Sequence, residues 1–235
     1  MQANPLWIHA KQFARMNQLD AAPSLRALIV DLDDPILAPL LQLAPNERDI
    51  ANLRAPLAGQ KKYFLKRRAL LRRLVALRIG CPPDDVVIAH DAHGAPRIVA
   101  PKTSLFVSVS ARESFAGFAI SNAPVGVDME LKTSAREPIW DILNAVERPA
   151  IEARWRMRHL DDLFIQTWIA KEAYLKALGT GLKRDPTTCA AIVSSTGSFE
   201  IRDDLRRETG LHDVQKIGDQ LVYCACIALA QRALS

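Results

Sequence analysis

Apolar positions recur along this chain with two different periods, and these set out the elements. Residues 27–32 (Ala-Leu-Ile-Val-Asp-Leu) form a compact run that predicts a buried strand, broken by Asp33, Asp34 and Pro35. Residues 35–58 predict one or two helices, with Asn46 as an N-cap. The most periodic segment is 61–80. Leu70, Leu74 and Leu77 fall at helical spacing, Phe64, Leu71 and Val75 widen the stripe, and Gly80 with Pro82 ends it. Its other positions include Lys61, Lys62, Lys66, Arg67, Arg68, Arg72, Arg73 and Arg78, with no acid among them. These read as a solvated face or as phosphate contacts. Val86–Ile88, Leu105–Val109, Phe115–Ile120 and Val125–Leu131 read as strands. His90–Pro96 is a turn, and 115–131 is a hairpin closed at Ser121–Pro124. Helical segments follow at 138–147, 147–159 and 161–178, then strands within 189–201 and 220–229. Strand-helix-strand material thus occurs twice, on either side of about residue 122, while residues 1–26 are weakly patterned.

Composition narrows the class without naming it. The 235 residues are 49% hydrophobic and 24% charged, which excludes wholesale disorder. A chain of this length buries about 70% of its unfolded surface and needs no covalent staples. Lys plus Arg number 31 and Asp plus Glu 26, a net charge of +5 that suits an acidic partner or a phosphorylated ligand. The charge is too small to argue for nucleic acid, and the apolar stripe of 61–80 reads as core rather than as a membrane or nucleic-acid surface. Cys81, Cys189, Cys224 and Cys226 lack metal-ligand spacing and read as buried free thiols of a reducing compartment. No run of about 18 apolar residues and no basic-then-apolar leader occurs, so the expectation is a cytoplasmic protein without a membrane segment.

Two short segments carry chemistry. In Val125-Gly126-Val127-Asp128-Met129-Glu130 a strand puts Asp128 and Glu130 on one face, side by side. Adjacent carboxylates raise each other's proton affinity unless a cation lies between them, and Mg²⁺ is the simplest such cation. In Trp168-Ile169-Ala170-Lys171-Glu172-Ala173-Tyr174-Leu175-Lys176 a helix puts Trp168, Glu172 and Lys176 on one face. Either segment alone also fits a solvated acid pair or an ordinary i,i+4 ion pair. His90 and His93 read as turn residues near the mouth of a site, and Ser110 shows no base partner in the sequence.

Together the two segments resemble the signature of the 4′-phosphopantetheinyl transferase superfamily, of the larger monomeric surfactin-synthetase-activating type. The Val-Gly-Val-Asp-x-Glu and Trp-x-x-Lys-Glu-Ala-x-x-Lys motifs are intact, and Gly179-Thr180-Gly181-Leu182 resembles the turn that follows in the family. The resemblance extends N-terminally through Phe64, Arg68, Leu71-Arg72 and Pro83–Val86, and covers about residues 27–229. It implies an α+β fold of two similar halves related by a pseudo-twofold axis, with the active site at their interface. On that frame 1–26 is an extension, 27–122 the N-terminal half, and 123–235 the C-terminal half with the metal and catalytic motifs. The implied reaction moves the phosphopantetheine arm of coenzyme A onto a serine of an acidic acyl or peptidyl carrier protein, releasing 3′,5′-ADP. By the same resemblance Asp128, Glu130 and Glu172 hold Mg²⁺, Lys176 neutralises the diphosphate, and Lys171 and Trp168 shape the pocket. Glu172 or a metal-bound water takes the hydroxyl proton.

Three positions depart from the family pattern. A usual Gly-Lys-Pro is Gly94-Ala95-Pro96, a usual Ser-His-Ser is Ser108-Val109-Ser110-Ala111-Arg112 with Ala111 at the histidine position, and a basic residue one turn after Arg48 is Ala51. Each lost charge-assisted contact to phosphate costs about 1.5–3 kcal/mol. The expectation is that Arg97 or Arg112 compensates, with Arg48 and Ser110 also on the cofactor. The alternative is a weakened family member that binds coenzyme A or a carrier protein without efficient transfer.

Overall fold

The computed structural model describes residues 7–19, 24–41, 43, 47–54, 58–132, 138–156, 162–204 and 206–230. It is a mixed α+β fold. The order is β1 (Trp7–Ile8), α1 (Ala10–Arg15), β2 (Leu25–Asp31), α2 (Glu47–Arg54), α3 (Ala58–Ile79), β3 (Val87–His90), β4 (Pro96–Ala100), β5 (Phe106–Arg112), β6 (Phe115–Ser121) and β7 (Val125–Leu131). There follow α4 (Arg148–Arg156), α5 (Asp162–Ala177), β8 (Cys189–Val193), β9 (Ser198–Asp203), β10 (Arg206–Ile217) and β11 (Gln220–Ala228). One sheet runs β1-β2-β6-β5, a second β7-β11-β10-β9-β8, and β3 pairs with β4 as a separate ribbon.

Side-chain alternation stacks these sheets between two helices. Along β2, Leu28 and Val30 pack with Leu70, Leu74 and Leu77 of α3, whereas Ala27 and Ile29 face the second sheet. Along β7, Val125, Val127, Met129 and Leu131 face the first sheet, so Gly126, Asp128 and Glu130 point to the opposite side. That side is covered by α5, whose Ile169, Ala173 and Tyr174 pack on Tyr223, Ala225 and Ile227 of β11. The layers are therefore α3, sheet, sheet, α5. β6, covered on both faces, is buried throughout and shows no polar alternation.

Helix α3 stops where the stripe does. Gly80 adopts φ +79°, and the amides of Gly80 and Cys81 both donate to the Ala76 carbonyl, capping the last turn. Not all of its cations form a solvated face. Arg68 and Arg72 are buried, with Glu47 of α2 between them at 3.3 and 3.1 Å. Lys62 and Lys66 converge on Asp33 at 2.8 and 2.6 Å, with the Tyr63 hydroxyl donating to the same carboxylate. These contacts hold the Asp33 carboxyl well below the usual carboxylate range.

Other expectations are corrected. Residues 115–131 are not a hairpin: both edges of β6 are taken by β2 and β5, so Ser121–Pro124 passes the chain from one sheet to the other. Within 35–58 the described helices are a 3₁₀ segment, Pro35–Leu40, and α2, and Asn46 lies outside the described residues. Within 138–147 the helix is a single turn, Trp140–Ile142. β10 goes unread in the sequence because it is half-exposed, with charged residues at 206–208, 213 and 216. Residues 7–19 supply Ile8, Phe13 and Leu19 to the first core.

Cys189, Cys224 and Cys226 are buried, and burial pushes the Cys189 thiol up to about 11 and Cys226 up to about 12. A thiol reagent at pH 8 is expected to modify at most the half-buried Cys81 in the native protein, and the other three only after unfolding. Rapid titration of more than one native thiol contradicts this.

Candidate functional site

The site forms where an edge of each sheet meets. β5 and β7 lie side by side, and the Val127 amide donates to Ser108 Oγ at 3.1 Å across the seam. Ser110 Oγ donates to Asp128 Oδ1 at 2.7 Å. From the other side α5 delivers Lys176, whose Nζ donates to the same Oδ1 at 2.6 Å and to the Val127 carbonyl at 3.3 Å. Helix and strand approach this closely because residue 126 is glycine. A Cβ there would overlap the Ala173 carbonyl oxygen and crowd the Ala177 amide of α5.

Asp128 is buried, and its Oδ2 has no hydrogen-bond partner. The Glu172 carboxyl lies against Asp128. Burial first, and then the Asp128 charge, push Glu172 well above the ordinary carboxylate range, with Lys176 opposing and Glu130 adding a smaller push. Glu130 sits at 3.3 Å from Arg112. Among the described residues, no three acidic, histidine or cysteine side chains are gathered as a ready metal cluster. Asp128 and Glu172 are nonetheless hard oxygen donors in contact, one with an orphaned buried oxygen, and that donor set fits Mg²⁺ shared with phosphate oxygens.

A cleft opens along this seam. One cavity of about 500 Å³ is walled by the β3–β4 turn (His93, Ala95) and, opposite, by Lys176 and Lys183. A neighbouring one of about 370 Å³ includes Arg97 and Lys176, and a third of about 250 Å³ includes Arg67, Arg68, His90 and Ser110. The turn is shaped by Asp91, whose Oδ1 accepts from the amides of His93 and Ala95 at 2.9 and 3.0 Å, with Gly94 at φ +85°.

The residues singled out in the sequence divide. Asp128, Glu172, Lys176 and Ser110 come together, and the base partner that the sequence does not reveal for Ser110 is Asp128. Arg97 lines the cleft but is paired with Asp91 at 3.2 Å, and Arg112 is paired with Glu130. Arg48 is exposed on α2 and lines none of these three cavities. Trp168 packs against the core between α5 and the second sheet.

Lys171 does not shape the pocket with its ammonium. It is fully buried, donating to Glu147 at 2.7 Å and to the Ile142 carbonyl at 2.9 Å. Glu147, which the sequence does not single out, also accepts the amides of Asn144 and, on β8, Ala191. The pair ties segment 142–147, β8 and α5 together directly beside Glu172. Lys171→Met is expected to cost about 3 kcal/mol, at the lower end for a broken buried pair because Glu147 keeps two backbone donors. Thermal melts measure it, and an unchanged melting temperature rejects this account.

Comparison with known proteins fits this geometry. Residues 124–226 match the family model described as ACPS, 4′-phosphopantetheinyl transferase superfamily. The matched segment begins just before β7, ends within β11, and holds Asp128, Glu130, Glu172 and Lys176. A Synechocystis sp. protein that carries the provisional name 4′-phosphopantetheinyl transferase is 26% identical over 68% of this chain and 67% of its own length. The Mus musculus L-aminoadipate-semialdehyde dehydrogenase-phosphopantetheinyl transferase is 27% identical over 53% of this chain, and the match spans 45% of that mouse protein.

Proposed function

We propose that the chain transfers the 4′-phosphopantetheine arm of coenzyme A to a serine of an acyl or peptidyl carrier protein, with Mg²⁺, releasing 3′,5′-ADP. The observation that carries the reading is the packing of Asp128 and Glu172 with Lys176, which lines a cleft where the two sheets meet. On this reading the two sheet-and-helix units are the pseudo-twofold halves of the larger monomeric type, with the active site at their interface.

The serine oxygen bonds to the phosphorus that carries pantetheine, and the bond from that phosphorus to the leaving 3′,5′-ADP breaks. Negative charge grows on the leaving phosphate. Lys176, reaching the cleft from α5, neutralises it, and Ser110 holds Asp128 in place for Lys176. Asp128 and Glu172 would hold Mg²⁺, with Glu130 beside them, and the metal would supply charge neutralisation on the diphosphate. On this reading Glu172 takes the hydroxyl proton.

Incubation with coenzyme A, Mg²⁺ and a purified apo carrier protein is expected to add the mass of one phosphopantetheine arm to the carrier. Chelation of the metal is expected to stop transfer, and added Mg²⁺ to restore it. Binding of coenzyme A with no mass gain on a range of acyl and peptidyl carriers rejects the transferase reading in favour of a binding protein.

A further inference from the structure

The turn at Gly94-Ala95-Pro96 puts a methyl group into the cleft, and the two arginines nearest in sequence are matched by acids. Arg97 lies on Asp91, and Arg112 on Glu130. Lys176, the cation at the cleft floor, lies on Asp128. One ammonium in the cavity is placed differently. Lys183, in the 3₁₀ turn after α5, extends from the opposite wall to the Ala95 turn and meets His93 Nδ1 at 2.8 Å. Its partner there is a histidine ring nitrogen, and among the described residues no carboxylate pairs with it. The cavity between the walls therefore carries a positive charge that the fold does not balance. Its volume of about 500 Å³ is ample for a phosphate group.

We propose that Lys183, with His93 beside it, is an anion anchor for a phosphate of coenzyme A, supplying from across the cleft the cation that position 95 lacks. An ammonium held against an imidazole rather than a carboxylate costs little to redirect, since both groups can donate to the same phosphate oxygens. The contact also joins the β3–β4 ribbon to the turn after α5, so an anion bound there bridges the two walls. The proposal deepens the transferase reading, because it takes the anion to belong to coenzyme A.

Its first test does not depend on transfer. Pyrophosphate, without metal, is titrated calorimetrically into the wild-type chain, Lys183→Gln, Lys183→Arg and Lys132→Gln. Lys132 is a surface lysine on Asp162, outside the cleft. The expected result is wild-type binding that weakens roughly tenfold or more in Lys183→Gln, and is kept in Lys183→Arg and Lys132→Gln. Equal binding by wild type and Lys183→Gln overturns the proposal, as does absence of pyrophosphate binding by the wild type. Coenzyme A and dephospho-coenzyme A are then compared. A Lys183→Gln penalty seen with both assigns the diphosphate, and a penalty seen only with coenzyme A assigns the 3′-phosphate. Pyrophosphate binding through Lys183 in a chain that transfers nothing leaves the anchor standing and removes the transferase reading alone. Because Lys183 is exposed, the variants are expected to melt with the wild type, which circular dichroism verifies.

Discussion

Gly126→Ala is expected to lower the melting temperature by roughly 10 °C, about 4 kcal/mol, and to abolish transfer as well. A single methyl group has this effect because of where it would go. The added Cβ meets backbone, the Ala173 carbonyl and the Ala177 amide, not the end of a flexible side chain. Backbone in mid-helix cannot step aside alone, so α5 as a whole must lift from β7. Lifting it withdraws Glu172 and Lys176 from Asp128 and strips the cover from Tyr223, Ala225 and Ile227. Gly59→Ala is the control. It lies in α3, where an added Cβ meets nothing, and is expected to leave stability unchanged or raise it by up to about 1 kcal/mol. Thermal unfolding and the carrier-protein mass assay read both variants. A Gly126→Ala protein that melts and transfers normally shows that the strand–helix distance does not set the site.

Asp128→Asn is expected to reduce kcat about 10²–10³-fold, equivalent to about 3–4 kcal/mol, while the fold survives. The amide keeps the shape and can still accept from Ser110. It does not keep the charge that draws Lys176 to 2.6 Å and offers an anionic oxygen to a cation. Glu172→Gln acts on the same unit, so the double variant is expected to be scarcely worse than either single one. Steady-state kinetics with saturating carrier protein measure all three. Additive losses, or single variants near the wild-type rate, are incompatible with Asp128 and Glu172 working as one group.

Much of this was readable from the chain because the decisive signals are local. Alternation in 125–131 puts Asp128 and Glu130 on one face, and spacing in 168–176 puts Glu172 above Lys176; the structure keeps both relations. What local pattern cannot supply is the partner across a gap. β6 and β7 look like a hairpin because nothing in 115–131 records that β2 arrives from nearly ninety residues earlier to take the open edge of β6. Arg68 and Arg72 look solvent-facing because their acid, Glu47, sits on another helix. Lys171 is taken for a pocket residue on the family resemblance alone, and its counter-ion lies 24 positions away. Lys183 carries no motif, and only the fold brings it to the turn that bears Ala95.

The way β5 rests against β7 has a consequence for redesign. The acids and Lys176 all belong to the chain from residue 125 onward, whereas the facing wall, residues 87–100, is a ribbon strand-paired with neither large sheet. The reactive groups are thus housed apart from one wall of the ligand cleft. Chimaeras that exchange only that ribbon between relatives should retune which coenzyme A derivatives are accepted while leaving the reaction intact.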